Sequence, residues 1–257
     1  MANLLVTFVG LPGTGKSTLC ARVATLLRER GIPCCVCEEA AYRKYRNKAG
    51  WLAREVIGHP WRAARSLRAI LATHQPTVLD LVKMVVNWFC LSFLIRRAAR
   101  AGGVALFDEG LFQALWSIGL GARNPDWMSS LPALDPMPPA PNLTVVVRSR
   151  LETVERRLAA RPVCGSRLEQ WLPHDPGILT KAGGLMNLIE KLVSSHSGRT
   201  DDMCVLMIDN DQNDALEANA SMIAEAVEDL LAPVGMSPPA DDGIVEPTES
   251  SLLSAAR

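Results

Sequence analysis

The stretch Gly10-Leu11-Pro12-Gly13-Thr14-Gly15-Lys16-Ser17 matches the pattern G-x-x-x-x-G-K-[ST] at every fixed position. It follows a continuous apolar run, residues 4–9, which is typical of a strand buried on both faces, and it opens a segment with apolar residues at helical spacing. A glycine-rich turn before a helix N-terminus lets successive backbone N–H groups surround phosphate oxygens. In this setting the motif predicts binding of a nucleoside triphosphate.

The side chains of this phosphate loop have separate predicted roles. Lys16 can neutralise the β- and γ-phosphates, the Ser17 hydroxyl can ligate Mg²⁺, and Thr18 can bond the α-phosphate. We therefore expect ATP and Mg²⁺ as cofactors. The other residues predicted to bind the nucleotide are Gly10, Gly13, Thr14 and Gly15.

A second candidate site comes directly after the apolar run at residues 104–107, where the chain reads Asp108-Glu109-Gly110. Acidic residues at the carboxyl end of a buried strand lie where open α/β sheets bind their ligands. We expect Asp108 to hold Mg²⁺ beside Ser17, directly or through a water. Glu109 is a candidate to orient a water or accept a proton. The alternative is a strand-end acid that caps the following turn.

The order of apolar patterns indicates one domain, residues 1–232, followed by an acidic tail, 233–257, that we expect to be disordered. Helical segments separate five predicted strands, at residues 4–9, 34–37, 104–107, 143–147 and 204–208. Strands that alternate with helices predict a parallel sheet with helices on both faces, which is the three-layer α/β fold of P-loop proteins. A basic helical insertion, residues 41–76, is expected to break near Gly50 and at His59-Pro60.

These features together resemble the nucleoside- and nucleotide-kinase branch of P-loop proteins, which includes thymidylate kinases and deoxynucleoside kinases. The resemblance spans about residues 3–232 and adds an arginine-rich segment after the fourth strand to the two sites above. It implies that Glu38 or Glu39, at the end of the second strand, acts as the base on the acceptor hydroxyl.

The resemblance also implies a lid-like segment, residues 156–180, that closes over the transferring phosphoryl group and supplies positive charge. Its matching arginines are Arg156, Arg157 and Arg161, with Arg157 and Arg161 on one helix face; the alternative is a solvated basic helix surface. Arg167 is a further candidate lid cation, and Gln113 a candidate polar contact to the acceptor.

The predicted function is therefore an ATP- and Mg²⁺-dependent kinase that transfers the γ-phosphoryl group to a nucleoside, a nucleotide or another small acceptor. Kinases of this branch usually carry an arginine directly after the third-strand acid, where this chain has Glu109. That departure keeps open a regulatory P-loop protein with slow ATP hydrolysis, and also a kinase for a sugar or an antibiotic.

Charge is balanced overall, with 27 basic and 27 acidic residues, but it is unevenly distributed along the chain. Residues 41–76 carry eight Lys or Arg against Glu55 alone, whereas residues 201–257 carry thirteen acids against Arg257. An anionic acceptor would explain the basic insertion; a solvated helix face, or contact with anionic lipid or nucleic acid, are the alternatives. The zero net charge argues against a dedicated nucleic-acid binder.

Residues 77–95 are long and apolar enough to span a membrane. They also contain Asp80, Lys83 and Asn87, which share one helix face and are costly in hydrocarbon, so a core helix that could pack across a homodimer is favoured. Seven cysteines without paired spacing favour buried thiols and a reducing cytoplasm.

Overall fold

The computed structural model describes residues 3–37, 45–130, 139–162, 165–197, 203–212 and 215–232. Five strands form a single sheet in the order β2-β3-β1-β4-β5, and every neighbouring pair is parallel. The strands are β1 Asn3–Val9, β2 Cys34–Val36, β3 Gly103–Phe107, β4 Leu143–Arg148 and β5 Cys204–Asp209. The predicted five-stranded parallel sheet is confirmed.

Helices connect the strands and cover both faces of the sheet. They are α1 Lys16–Glu29, α2 Tyr45–Gly58, α3 Pro60–Leu71, α4 Val78–Ala101, α5 Leu111–Leu120, α6 Leu151–Ala159, α7 Arg167–Trp171, α8 Ile178–Ser197 and α9 Leu216–Leu231. A 3-10 helix, Pro125–Ser130, follows α5. The tail, residues 233–257, lies outside the described part of the chain.

The side chains of β1 point alternately into two hydrophobic cores, as the period of two in a strand requires. Val6 and Phe8 pack with α1 and α9 on one face, whereas Leu5 and Val9 pack with α4, α5 and α8 on the other. The three central strands, β1, β3 and β4, are therefore buried on both faces, which explains why they are continuous apolar runs. This arrangement confirms the predicted three-layer α/β fold.

The predicted helix break at Gly50 is wrong, whereas the break at His59-Pro60 is confirmed. Helix α2 continues through Gly50 to Gly58, and α3 begins at Pro60. A glycine inside a helix costs about 1 kcal/mol, and two contacts of α2 offset this cost. Trp51 stacks on Phe93 with ring centroids 6.1 Å apart, and the buried Glu55 accepts a hydrogen bond from Arg96 at 3.0 Å.

Helix α4 is the one helix of the described residues that is long and apolar enough to cross a membrane by length and composition. It packs against α2, α5 and β1, and Trp88, Cys90 and Ile95 are buried there. Its first turn is capped by Thr77, whose hydroxyl accepts a hydrogen bond from the Asp80 backbone N–H at 3.0 Å. In this fold, α4 supplies much of one hydrophobic core.

Candidate active site

The phosphate loop joins β1 to α1, and its backbone explains the glycines of the motif. Gly13 and Gly15 have φ angles of 92° and 90°, in the left-handed region that favours glycine. A Cβ at Gly10 would collide with the carbonyl oxygen of Val147 on β4. The loop therefore needs glycine for its turns at two positions and for close strand packing at the third.

Lys16 is buried at the start of α1, and its ammonium donates hydrogen bonds to the loop carbonyls of Gly10, at 2.8 Å, and Leu11, at 3.0 Å. Burial lowers the pKa of Lys16 to about 8, against the raising effect of the Glu109 and Asp108 carboxylates. Arg161 adds a smaller lowering effect. Charged side chains from two other parts of the chain therefore lie around this ammonium.

Ser17 and Asp108, the two predicted magnesium ligands, are in direct contact. The Ser17 hydroxyl donates to the Asp108 Oδ2 at 3.1 Å. The contact arises because β3 is the neighbour of β1, so that the residue after β3 meets the start of α1 at the carboxyl edge of the sheet. A hydroxyl and a carboxylate are hard oxygen donors, which fit Mg²⁺.

A cavity of about 180 Å³ lies over the phosphate loop. The loop lines one side of it with Lys16, Ser17 and Thr18, and other segments line the rest, with Asp108, Glu109, Arg161, Gly165 and Ser166. Gly13 and Gly15 of the loop line it too, so that eight predicted site residues are brought together here from three parts of the sequence. The cavity is therefore lined by the glycine-rich loop, by two basic side chains and by two acidic side chains.

Arg157 lies beside this cavity and ties three segments together through backbone carbonyls. Its guanidinium donates to the carbonyls of Asn210 at 2.8 Å, Asp211 at 3.2 Å and Gly13 at 3.5 Å. Asn210 in turn donates from Nδ2 to the Thr14 carbonyl at 2.7 Å. Arg157 thus holds the phosphate loop against the loop after β5, and its role toward the nucleotide stays a prediction.

Glu169 is a site residue that the sequence analysis missed. It is buried, pairs with Arg161 at 3.2 Å, and accepts hydrogen bonds from the backbone N–H groups of Gly165 and Ser166 at 3.0 and 2.6 Å. Burial acts to raise the pKa of Glu169, but the Ser166 hydrogen bonds and the charge of Arg161 outweigh it, so that the pKa is lowered. The pattern Ser166-x-x-Glu169 is a capping box, which was the available signal.

Glu169 has two contacts that substitution can separate. Glutamine can keep the capping box but lacks the charge that holds Arg161, whereas alanine loses both. We expect Glu169→Gln to retain stability and to lower the rate of phosphoryl transfer about tenfold, because it would displace Arg161, the cation that the resemblance implies for the transferring phosphoryl group. We expect Glu169→Ala to lose about 1 kcal/mol of unfolding free energy as well. Thermal unfolding measures the change in stability, and the rate of phosphoryl transfer measures the change in activity.

Glu155→Gln, at an exposed glutamate on α6, is the control and should change neither quantity. Full activity in Glu169→Gln would show that Glu169 does not hold Arg161 in a position needed for transfer.

Two further predicted site residues, Gln113 and Arg167, do not line the cavity and contact other parts of the protein. Gln113, the candidate contact to the acceptor, is buried and accepts a hydrogen bond from the Gly10 backbone N–H at 3.1 Å, so it supports the phosphate loop. Arg167, the candidate lid cation, begins α7 and is not among the residues that line the cavity. It donates to the Ser117 carbonyl at 3.2 Å, lies 3.6 Å from Asp80 and stacks on Trp171. These contacts hold Arg167 against α4, α5 and α7, and its role as a lid cation stays a prediction.

The remaining predictions concern the ends of β2 and β3. Glu38 and Glu39, the implied bases, lie outside the described residues. After β3, Gly110 takes the place next to Glu109, and a Cβ there would lie 2.8 Å from the Thr7 Cβ. Close packing of the start of α5 on β1 therefore requires glycine at this position.

The lowered pKa of Lys16 predicts how nucleotide affinity depends on pH. Because the pKa in the free protein is about 8, the ammonium loses its proton above that pH, and a bound triphosphate then loses its counter-charge. We expect ATP affinity to be constant below pH 8 and to fall by about tenfold per pH unit above it. Titration with a fluorescent ATP analogue measures this. Lys16→Met should flatten the profile, and a flat profile in the unaltered protein would contradict the assignment.

Together, the parallel sheet, the glycine-rich loop between β1 and α1 and the cavity over that loop define an α/β protein with a P-loop fold. No protein-family profile matches the sequence, and no curated protein matches it. Solved structures do match in fold. Deoxyadenosine kinase from M. mycoides with bound dATP aligns with a TM-score of 0.54 at 11% identity, covering 88% of this chain and 100% of that one. The same enzyme with the products dCMP and dCDP aligns over the same shares with a TM-score of 0.55 at 12% identity. The chain therefore has the fold of a P-loop deoxynucleoside kinase.

Proposed function

We propose that this protein is an ATP- and Mg²⁺-dependent kinase that transfers the γ-phosphoryl group to a hydroxyl of a nucleoside, a nucleotide or another small acceptor. The observation that carries the proposal is the contact of Ser17 with Asp108 beside the buried Lys16, in a cavity that Arg161 also lines. A phosphate loop alone would serve any nucleotide-binding protein. A cation from a separate segment, facing the same cavity, is what phosphoryl transfer additionally requires.

The proposed roles follow from position around the cavity. The loop N–H groups and Lys16 bind the β- and γ-phosphates, Thr18 bonds the α-phosphate, and Arg161 compensates the charge that spreads over the transferring group. Ser17 and Asp108 would hold Mg²⁺, which when bound neutralises charge on the phosphate oxygens. Because the protein forms no covalent bond in this scheme, its contribution is positioning and electrostatic stabilisation.

The acceptor hydroxyl needs a base. Its oxygen forms the new bond to the γ-phosphorus as the bond to the bridging oxygen of ADP breaks, and its proton passes to a carboxylate. Glu109 is the described candidate, since it lines the cavity and raises the pKa of Lys16 by its charge. Glu38 or Glu39 is the base implied by the resemblance. Because residues 41–76 carry eight basic residues against one acid, we propose that the acceptor is an anionic molecule.

The cellular setting of the proposal is the cytoplasm, where ATP and a reducing environment are available. All six described cysteines are free, and two of them, Cys35 and Cys204, are exposed, contrary to the predicted buried thiols. A homodimer is compatible with the fold and is part of the same proposal. The roles proposed for the residues around the cavity depend neither on the cellular location nor on the homodimer.

Glu109 also favours a second candidate, a regulatory P-loop protein with slow ATP hydrolysis. It puts negative charge into the cavity at the position where deoxynucleoside kinases usually carry an arginine. Such a protein would bind ATP and respond to its presence, but it would not pass the γ-phosphoryl group to another molecule.

ATP consumption measured against a panel of nucleosides, nucleotides, sugars and sugar phosphates tests the two candidates. The proposal expects at least one acceptor to raise consumption well above the rate with ATP alone. A panel that leaves the rate unchanged, while ATP binding is intact, would support the regulatory protein and contradict the kinase.

A further inference from the structure

Exposed hydrophobic side chains are concentrated on one part of the surface. Eight of the eleven large hydrophobic side chains that are exposed in the described residues belong to residues 56–82, which cover α2, α3 and the first turns of α4. The most exposed are Ile57 at 79%, Val78 at 77% and Trp61 at 75%. We call the exposed side chains of residues 54–83 the outer face. Exposed apolar side chains concentrated in one segment of the fold are typical of an interaction site.

Helix α3 forms the ridge of the outer face. Its inward side is made of small residues, with Ala63, Ser66 and Ala69 buried together with Ile70. Its outward side carries Trp61, Leu67 and Leu71, with Arg62, Arg65 and Arg68 at helical spacing beside them. Three of the four large apolar residues of α3 therefore point to solvent and only Ile70 is buried, which is the reverse of a helix that only covers a core.

The charge of the outer face is positive. Five exposed basic side chains lie on it, Arg54, Arg62, Arg65, Arg68 and Lys83, and none of them lines the cavity over the phosphate loop. Residues 45–83 contain only two acids, and both are engaged on the inner side. Glu55 is buried against Arg96 at 3.0 Å, and Asp80 lies 3.6 Å from Arg167. Within residues 45–83, all of which the structure describes, neither acid therefore lies among the exposed side chains of the outer face, which carries Arg54, Arg62, Arg68 and Lys83 beside its apolar groups.

The basic and apolar side chains of the outer face can be compared with three kinds of binding partner: a second copy of the chain, a nucleic acid and a lipid surface. A symmetric contact with a second copy would bring the α3 arginines of both chains together, and like charges at an interface are unfavourable. A nucleic acid would bind the arginines but would leave exposed aliphatic side chains such as Ile57 and Leu71 without a partner. An anionic lipid surface provides partners for both the apolar and the basic side chains. The apolar side chains enter the boundary of the acyl chains, and the arginines bind the negatively charged headgroups.

We propose that the outer face docks the protein on the surface of an anionic lipid bilayer. Helix α3 lies in the plane of the interface, with Trp61, Leu67 and Leu71 toward the acyl chains, and the corners before and after α3 add Ile57, Val78 and Leu79. Helix α4 stays in the protein core in this arrangement. Docking places no outer-face residue in the phosphate cavity, so the proposal does not depend on the proposed kinase activity.

Sedimentation with lipid vesicles tests the docking. The vesicles are pure phosphatidylcholine, or phosphatidylcholine with about 30% phosphatidylglycerol, at ionic strengths of about 0.1 M and about 1 M. We expect binding to the anionic vesicles only, weakened at the higher salt concentration. Trp61→Ser/Leu71→Ser should lower the partition coefficient at least about tenfold. Arg62→Gln/Arg68→Gln, which keeps every apolar side chain, should lower it by about fivefold per charge.

The matched control is Leu188→Ser/Met222→Ser, since these residues are 41% and 47% exposed on other helices. It should bind as the unaltered protein does, and all variants should keep the thermal unfolding midpoint. No binding to anionic vesicles, or an equal loss in the control, would overturn the proposal. A dimer in light scattering that Trp61→Ser/Leu71→Ser makes monomeric would identify a second copy as the occupant instead. Binding to nucleic acid without binding to vesicles would likewise contradict lipid docking.

Discussion

Replacing Lys16 by alanine is expected to lower phosphoryl transfer by about a hundred- to a thousandfold, the usual cost of removing one preorganised charge donor from a transition state. The ammonium is buried and carries positive charge among the loop carbonyls, Asp108 and Glu109. Alanine leaves the loop N–H groups in place but removes the one cation that the loop itself provides. ATP affinity should fall as well, since binding of the anion loses the same charge.

The fold should survive this substitution, because burial of a charged ammonium is itself costly and alanine is a good helix former at the start of α1. Circular dichroism and thermal unfolding establish that the variant is folded. Lys191→Ala, at an exposed lysine on α8, is the control and should transfer at the unaltered rate. A folded Lys16→Ala variant with normal turnover would refute the proposed role of the loop.

Replacing Asp108 by asparagine is expected to lower transfer by about a hundredfold and to raise the Mg²⁺ concentration needed for half-maximal rate. Asparagine has nearly the same shape and its amide oxygen can still accept the hydrogen bond from Ser17, so the 3.1 Å contact can persist. What changes is the negative charge that attracts the cation. The substitution therefore separates a metal-binding role from a purely structural one.

A Mg²⁺ titration of the transfer rate distinguishes these roles. Ser17→Ala should shift the titration in the same direction, and Asp229→Asn, an exposed acid on α9, should leave it unchanged. If Asp108→Asn lowered stability while the Mg²⁺ dependence stayed the same, Asp108 would be a strand-end cap rather than a metal ligand.

The sequence predicted the contact between Ser17 and Asp108 although the two residues are 91 positions apart. Two local patterns sufficed: a phosphate loop opening a helix and an acid ending a buried strand. In a parallel sheet the carboxyl ends of neighbouring strands share one edge, so that each motif fixes its own position there. Lys16, Thr18 and Glu109 were predictable for the same reason.

Contacts that depend on tertiary packing were not predictable in this way. Arg167 follows a run of lid-like residues in the sequence, but Trp171 and Asp80 hold it against α4, which local spacing does not reveal. Gln113 contacts Gly10 because α5 starts directly beside β1. Gly50 weakens helix propensity locally, and the packing of Trp51 on Phe93 overrides that signal.

Charge arithmetic identified the basic insertion but not how it is arranged. The sequence shows eight basic residues against one acid in residues 41–76. Only the fold shows that Glu55 is turned inward onto Arg96 while the α3 arginines share the outside with Trp61 and Leu71. Among the alternatives that the sequence left open for this segment, contact with anionic lipid thereby gained a defined surface, on the side of the helices that faces away from the core.

The fate of the γ-phosphoryl group tests the central claim most directly. ATP labelled at the γ-phosphate is incubated with the full chain, Mg²⁺ and each acceptor of the panel, and the label is followed into the acceptor or into inorganic phosphate. The account predicts label in an acceptor with the unaltered protein and none above background with Lys16→Ala. Label found only as inorganic phosphate, or retained in bound ATP across the whole panel, would contradict it.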